Sequence, residues 1–142
     1  MLFRSIDARR GAILNVSSSA SFLPIPGMGV YAATKAYVTS FTEALRSEVR
    51  GQGITVSALC PGPVHTEFDS VAARPGDRRQ SAPGLIYVSP EQVVRNALDG
   101  IEHARAIVIP GLAMKIAMSV ARLMPLAVLR WAGRFGPNQT AR

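Results

Sequence analysis

Two short apolar runs on either side of a long amphipathic segment constrain the fold of this chain most strongly. Residues 12–16 (Ala-Ile-Leu-Asn-Val) and 54–59 (Ile-Thr-Val-Ser-Ala-Leu) are bounded by Gly, Ser or Cys-Pro and are too short for helices. Each run therefore predicts a strand that is buried on both faces. The segment from Val30 to Arg50 lies between them and predicts a helix. A strand, a helix and a second strand form a βαβ crossover, which implies parallel pairing.

The central helix is identified by its apolar period. Glu43, Arg46, Glu48 and Arg50 supply a polar side, and glycines directly after Arg50 are expected to end the helix. The apolar positions that recur with helical period are Val30, Ala33, Tyr37, Val38, Phe41, Ala44, Leu45 and Val49.

The remaining elements follow from capping and breaking residues. They are a helix end over residues 1–10 with a stop at Gly11, a helix from Ser89-Pro90 to about Glu102, a third strand at Arg105–Ile109, and an apolar C-terminal helix pair over Gly111–Phe135 that is broken at Pro125, so that its second helix begins at Leu126.

A phenol and an ammonium are spaced for one face of the central helix. Tyr31 and Lys35 stand four positions apart, so their heads can lie side by side. A nearby positive charge favours the anionic form of a phenol, which makes Tyr31 a candidate proton donor and acceptor. Ser18 lies thirteen residues upstream, after the first predicted strand, where its hydroxyl can bind the oxygen that Tyr31 protonates. The alternative is a surface tyrosine beside a solvated lysine.

Two strand ends are expected to meet at one edge of the sheet. The turn at residues 61–63 (Pro-Gly-Pro) ends the second predicted strand, and Ser18 follows the first. Ligands of open parallel sheets bind outside the carboxyl ends of the strands, so this edge is the predicted site. The turn is equally compatible with an ordinary strand ending, and Thr66 with the N-cap of a helix that starts at Glu67.

Two loops border the predicted edge. The loop over residues 17–29 contains the segment Phe-Leu-Pro-Ile-Pro, which either lines a pocket or packs only within the loop. The loop over residues 67–88 is long and polar, and it is either a lid or a disordered surface segment.

These motifs together resemble those of the short-chain dehydrogenase/reductase family. The matching segments are residues 11–18 (GAILNVSS), 31–36 (YAATKA) and 59–66 (LCPGPVHT), in the order and spacing of the family. The resemblance covers nearly the whole chain and is strongest over residues 10–110. It implies hydride transfer between a nicotinamide cofactor, NAD or NADP, and a small alcohol or carbonyl substrate.

The resemblance also implies a role for each matched residue. Tyr31 would act as general acid and base, Lys35 would favour the phenolate and hold the nicotinamide ribose, and Ser18 would orient the substrate oxygen. In the family, the residues that match the turn flank the nicotinamide, and those that match Val64 and Thr66 contact its carboxamide. The implied cofactor-binding set is Tyr31, Lys35, Pro61, Gly62, Val64 and Thr66.

Several motifs of the family do not occur in the sequence. The family's amino-terminal half carries a Thr-Gly-x-x-x-Gly-x-Gly phosphate loop, an Asn-Asn-Ala-Gly strand end and a catalytic Asn, and the chain contains none of them. The chain therefore resembles the carboxy-terminal half of such an enzyme. We expect an α/β fold in which residues 1–110 form the distal part of a Rossmann-like parallel sheet of about three strands with flanking helices. Residues 111–142 would be a C-terminal extension.

The counts of cysteine and histidine limit the chemistry further. A single cysteine, Cys60, precludes an internal disulfide and fits a reducing compartment, so we expect a cytoplasmic location. His65 and His103 are far apart in sequence and provide no metal-ligand spacing, so no metal site is predicted. The first ten residues lack the apolar stretch of a signal peptide.

The net charge of +7 is distributed unevenly. Residues 103–142 contain six Lys or Arg and no acidic residue, whereas residues 1–102 carry a net +1. The six bases are spread among apolar residues without a nucleic-acid-binding pattern, so no nucleic-acid partner is predicted. Two roles remain open for the C-terminal helix pair. It is either an interfacial pair peripheral to a membrane or a lid or subunit contact over an apolar substrate channel, and the second role is favoured. We also expect self-association into a homo-oligomer. A non-catalytic interaction or membrane-surface protein is the alternative to an enzyme.

Overall fold

The elements of the fold alternate between helices and parallel strands. A computed structural model describes residues 2–64, 84–125 and 127–128. In chain order the elements are α1 (Leu2–Asp7), β1 (Gly11–Val16), α2 (Gly29–Glu48), β2 (Ile54–Leu59), α3 (Pro90–Glu102), β3 (Ile107–Val108) and α4 (Leu112–Leu123), with short 3-10 helices at Ser19–Phe22 and Gly84–Ile86.

The three strands form one parallel sheet in the order β1-β2-β3. Strand β1 pairs with β2 in register from Gly11 opposite Ile54 to Val16 opposite Leu59, which confirms the predicted βαβ unit. Strand β3 is shorter than the predicted Arg105–Ile109. The Arg105 carbonyl accepts a hydrogen bond from the Ser57 hydroxyl at 2.7 Å, and the residue after Ile109 is a proline, which has no N–H for a ladder.

Helices α2 and α3 cover opposite faces of the sheet. Successive side chains of a strand point to opposite faces. On β1, Leu14 packs against the cluster of Ala97 and Val108 beneath α3, whereas the Asn15 amide donates to the Thr42 hydroxyl of α2 at 3.0 Å. The sheet is therefore the middle layer of three, as expected for an α/β fold.

Small residues, not large apolar ones, form the side of α2 that packs on the sheet. Ala32, Thr39 and Thr42 are buried, whereas Val30 and Tyr37 are 82% and 70% exposed. The threonine hydroxyls make hydrogen bonds inside the fold, so their burial carries little desolvation cost. The helix is confirmed, but its division into one apolar and one polar side is wrong.

Arg46 is the clearest departure from the predicted polar side of α2. Its guanidinium donates to the Val56 carbonyl at 2.8 Å and to the Ala104 carbonyl at 2.7 Å. The side chain thus ties α2 to β2 and to the turn after α3. A guanidinium presents several donors in a fixed planar arrangement, which suits this bridging of two carbonyls.

The burial of the first two strands differs. Residues 56–59 of β2 are buried, which agrees with the predicted strand that is buried on both faces. Strand β1 was predicted to be buried on both faces, but its side chains are half-buried or exposed, and Val16 is 56% exposed. Among the described residues β1 pairs with β2 alone, so its outer side is not covered.

Several predicted boundaries are confirmed by local geometry. The Ser89 hydroxyl accepts a hydrogen bond from the Gln92 N–H at 3.2 Å and caps α3, whose first residue is Pro90. Gly51 and Gly53 follow α2 with positive φ values of 79° and 73°, a conformation that favours glycine. Of the predicted helix from Leu126 to Phe135 only residues 127–128, which are helical, are described. Of the loop predicted over residues 67–88 only residues 84–88 are described, and they contain the 3-10 helix Gly84–Ile86 and the bridge residue Val88. No helix in the described ranges is both long and apolar enough to cross a bilayer.

Candidate active site

Lys35 is held at the carboxyl end of β1. Its Nζ atom donates to the carbonyl of Val16 at 3.2 Å and lies 5.8 Å from the ring centroid of Tyr31. The latter distance is within the range of a cation–π contact. The spacing of four residues on α2 thus brings the phenol and the ammonium together, and both side chains are half-buried.

Ser17 fixes α2 to the same strand end. Its hydroxyl donates to the Lys35 carbonyl at 2.8 Å and lies 2.7 Å from the Thr39 hydroxyl. Its N–H donates to the Leu59 carbonyl at 2.7 Å, which extends the ladder between β1 and β2 by one residue. Ser17 is only 3% exposed. Its buried hydrogen bonds therefore join β1 to both β2 and α2 at the candidate site.

Ser18 is the first residue after the buried Ser17. Its backbone is extended, and its hydroxyl accepts a hydrogen bond from the Ala20 N–H at 3.1 Å, which caps the 3-10 helix Ser19–Phe22. A hydroxyl that accepts one hydrogen bond still has its own proton to donate and a second lone pair. The capping role therefore leaves Ser18 able to bind a substrate oxygen.

The turn after β2 lies at the same edge as the segment after β1. The Ser19 N–H donates to the Pro61 carbonyl at 2.8 Å, which joins the two strand ends directly. Val64 forms a parallel bridge with Val88, and Pro61, Gly62 and Val64 are half-buried. Thr66 and His65 lie outside the described residues.

Helix α4 packs over this turn. A Cβ atom added to Gly62 would lie 2.6 Å from Cε of Met114, so glycine is needed there for close approach. At the other end of the helix, the Arg122 guanidinium lies 5.2 Å from the ring centroid of Phe22. Phe22 therefore contacts α4. From the sequence it was open whether the loop that contains Phe22 lines a pocket or packs only within itself.

A buried polar chain beneath the site was not identified from the sequence. Thr39 links the Ser17 hydroxyl to the thiol of Cys60, whose Sγ atom lies 3.9 Å from Thr39 Oγ1. Burial raises the pKa of the Cys60 thiol, and the hydroxyls of Thr39, Ser21 and Ser17 and the charge of Arg122 offset part of that rise. The thiol is therefore neutral at pH 7 and packs as a small apolar group. The available signal in the sequence for buried polar groups on α2 was the pair of threonines at positions 39 and 42, which stand three apart on one helix.

No arrangement of metal ligands is found in the described ranges. Residues 2–64, 84–125 and 127–128 contain no group of three or more His, Cys, Asp or Glu side chains able to hold a metal ion.

Comparison with known proteins identifies the class of protein. Residues 1–75, more than half of the chain, match the family model of the short chain dehydrogenases. The chain belongs to this family. The fold agrees, since the short-chain dehydrogenase of Sphingobium yanoikuyae in complex with NADPH superposes with a TM-score of 0.68 at 27% sequence identity over 98% of this chain.

Two of the relatives are an oxidoreductase and a reductase by name. The chain is 38% identical over 98 residues to the uncharacterized oxidoreductase YbbO of Escherichia coli K12, and the aligned region covers 66% of this chain and 35% of that protein. It is 33% identical over 93 residues to the human very-long-chain 3-oxoacyl-CoA reductase, which is 66% of this chain and 27% of that protein. The chain thus spans about a third of these relatives and 50% of the Sphingobium structure.

Proposed function

We propose that this chain supplies the catalytic part of an NAD(P)-dependent oxidoreductase that interconverts an alcohol and a carbonyl compound. The observation that carries the proposal is the fixed position of Lys35 between the Tyr31 ring and the end of β1. Membership of the short chain dehydrogenases supports it, as does the NADPH bound in the Sphingobium relative.

Each of the three side chains has a chemical task in this proposal. Tyr31 donates a proton to the substrate oxygen during reduction and takes it back during oxidation. Lys35 places a positive charge beside the Tyr31 ring, where it can offset the negative charge that develops on the phenol oxygen as the proton is transferred. Ser18 donates a hydrogen bond to the same substrate oxygen. A nicotinamide cofactor, when bound, supplies or accepts the hydride.

The described residues fit the nicotinamide end of such a cofactor. Lys35 offers an ammonium to the ribose, and the turn with Pro61, Gly62 and Val64 borders the same edge. Thr66 would complete this set. The pyrophosphate of the cofactor would need a glycine-rich loop at a helix N-terminus. The sequence contains no such motif.

The two edges of the sheet support the view that a further part of the fold binds beside β1. Edge strands are protected by shortness, charge or proline. Strand β3 is only two residues long, and Arg105 and Pro110 stand two residues before and two residues after it. Strand β1 has six residues (GAILNV) without charge or proline, which is typical of an inner strand. We propose that residues 1–110 form part of a larger sheet that carries the phosphate loop on strands beyond β1, with residues 111–142 as an extension.

A chimera tests the proposal. Residues 1–142 are fused to the amino-terminal half of a relative that contains the phosphate loop, and reduction of carbonyl compounds by NADPH or NADH is measured. Tyr31→Phe should lower the rate by about 10²-fold or more, since general acid–base catalysis contributes on that scale. Tyr37→Phe removes the hydroxyl of an exposed tyrosine on the same helix and should leave the rate unchanged.

The alternative is a non-catalytic chain that works through its exposed apolar surface. It is favoured by the exposure of Leu112 and Leu123 on α4, at 74% and 86%. A chimera that is folded and binds NADPH but reduces no carbonyl compound, with or without Tyr31, would favour this alternative over the enzyme.

A further inference from the structure

Helix α4 is apolar on two opposite sides. Its packed side consists of Met114, Met118 and Ala121, which are buried. A second stripe, with spacings of four, four and three residues, lies on the opposite side of the helix. The members of this outer stripe and their exposure are Leu112 74%, Ile116 56%, Val120 52% and Leu123 86%.

Rotation of the helix cannot bury the outer stripe. Met114 fills the space above Gly62 so closely that a Cβ atom there would lie 2.6 Å from its Cε. At the start of the helix, a Cβ atom on Gly111 would lie 2.9 Å from Val88 Cγ1. The packed side is thus fitted to the turn after β2 and to Val88, and the outer stripe faces away from them.

The charges around the outer stripe have one sign. Lys115 is exposed beside the stripe, whereas the Arg122 guanidinium, seven residues further along, lies over the Phe22 ring at 5.2 Å. Helix α4 contains no acidic residue, and neither does any other part of residues 103–142, which hold six Lys or Arg. Two of these six are already engaged within the fold, because Arg105 pairs with Asp99 at 3.0 Å and Arg122 lies over the Phe22 ring.

We propose that α4 binds an anionic membrane surface through its outer stripe. A bilayer with anionic headgroups offers both features that the helix matches, a negative potential for Lys115 and an apolar layer beneath it for the aliphatic side chains. The helix has 12 residues, which suits a position in the plane of the interface and is too short for a span of about 20 residues.

Vesicle co-sedimentation with the full 142-residue chain tests the proposal. Vesicles of phosphatidylcholine with phosphatidylglycerol should bind the chain, and vesicles of pure phosphatidylcholine should bind it more weakly. Raising the salt concentration should narrow that difference, because exposed charges are screened beyond about 8–10 Å at physiological ionic strength.

Paired substitutions identify the binding surface. Ile116→Gln with Val120→Gln should lower the partition coefficient at least about tenfold, through the lost aliphatic burial. Val94→Gln with Leu98→Gln is the matched control, because these residues stand four apart on α3 and are 57% and 62% exposed. Both double variants are checked by circular dichroism for an unchanged fold, and the control pair should bind like the parent chain.

Three results would overturn the proposal. The first is a chain that stays in the supernatant with anionic vesicles. The second is an equal loss of binding in both double variants. The third is sedimentation, or a larger mass in light scattering, that occurs without lipid and is abolished by the Ile116 and Val120 substitutions, since the outer stripe would then bind a second copy of the chain. None of these results depends on enzymatic activity.

Discussion

The Nζ atom of Lys35 lies 3.2 Å from the carbonyl oxygen of Val16, so the last residue of β1 holds this ammonium at the carboxyl end of the strand. The bond joins residues 19 positions apart. It gives the long, flexible lysine side chain a defined position, which limits the entropy cost of placing the charge beside a phenol.

Replacement of Lys35 should separate catalysis from stability. In the active chimera, Lys35→Met should lower the rate by about 10²-fold or more, the scale found when one preorganised charged or polar group is removed. The hydrogen bond to Val16 is exposed to solvent, so the free energy of unfolding should fall by no more than about 1 kcal/mol. Lys115→Met, at the only other lysine of the chain, should preserve the rate. A large loss of stability in Lys35→Met would assign Lys35 a structural role instead.

The isolated chain should bind NADPH weakly or not at all. It contains no glycine-rich loop for the pyrophosphate, and that loop normally places the phosphates at a helix N-terminus. Titration followed by nicotinamide fluorescence measures the affinity, and the chimera serves as the positive control. Tight, saturable binding to the monomeric 142-residue chain would contradict the proposed need for a further half.

Ser17→Ala should destabilise the fold by about 1–3 kcal/mol, because it leaves the buried Thr39 hydroxyl and the Lys35 carbonyl without this partner. Chemical denaturation gives the free energy of unfolding. Ser47→Ala removes a hydroxyl that donates to the Glu43 carbonyl at an exposed site and should change stability by less than about 0.5 kcal/mol. Similar effects of the two substitutions would show that the buried hydrogen bonds of Ser17 contribute little to the free energy of unfolding.

The Cys60 thiol should make stability depend on pH in the alkaline range. Because its pKa is raised in the folded chain, the unfolded chain loses the thiol proton first. The stabilising contribution is complete below about pH 8.5, the ordinary thiol value, and is lost as the pH rises through the folded pKa. The loss cannot exceed about 1.4 kcal/mol per pH unit.

Comparison with Cys60→Ala isolates this contribution, since other groups titrate alike in both chains. The free energy of unfolding should fall less steeply above about pH 8.5 in Cys60→Ala than in the parent chain. A thiol reagent provides a second measurement, because a neutral buried thiol should react much more slowly in the folded chain than in denaturant. Identical slopes together with fast labelling of the folded chain would be inconsistent with a buried, neutral thiol.

The sequence alone determined the kind and order of the elements. Five or six apolar residues between turn residues defined β1 and β2, the Ser89-Pro90 pair defined the start of α3, and the glycines at 51 and 53 defined the end of α2. These are local effects of backbone geometry, capping and hydrophobic period, which act over a few residues. The spacing of Tyr31 and Lys35 is of the same kind, because one helical turn brings them together.

Only the tertiary structure decided which surfaces meet. Hydrophobic period shows that α2 has two sides, but close packing on the sheet selected the side with Ala32 and Thr39 and left Tyr37 exposed. The chain of hydrogen bonds from Ser17 through Thr39 to Cys60 joins residues more than 20 positions apart. The exposure of β1 likewise depends on what lies beside it. Such contacts are set by how closely two elements approach and by which polar groups must be satisfied between them, and neither quantity is contained in a local pattern.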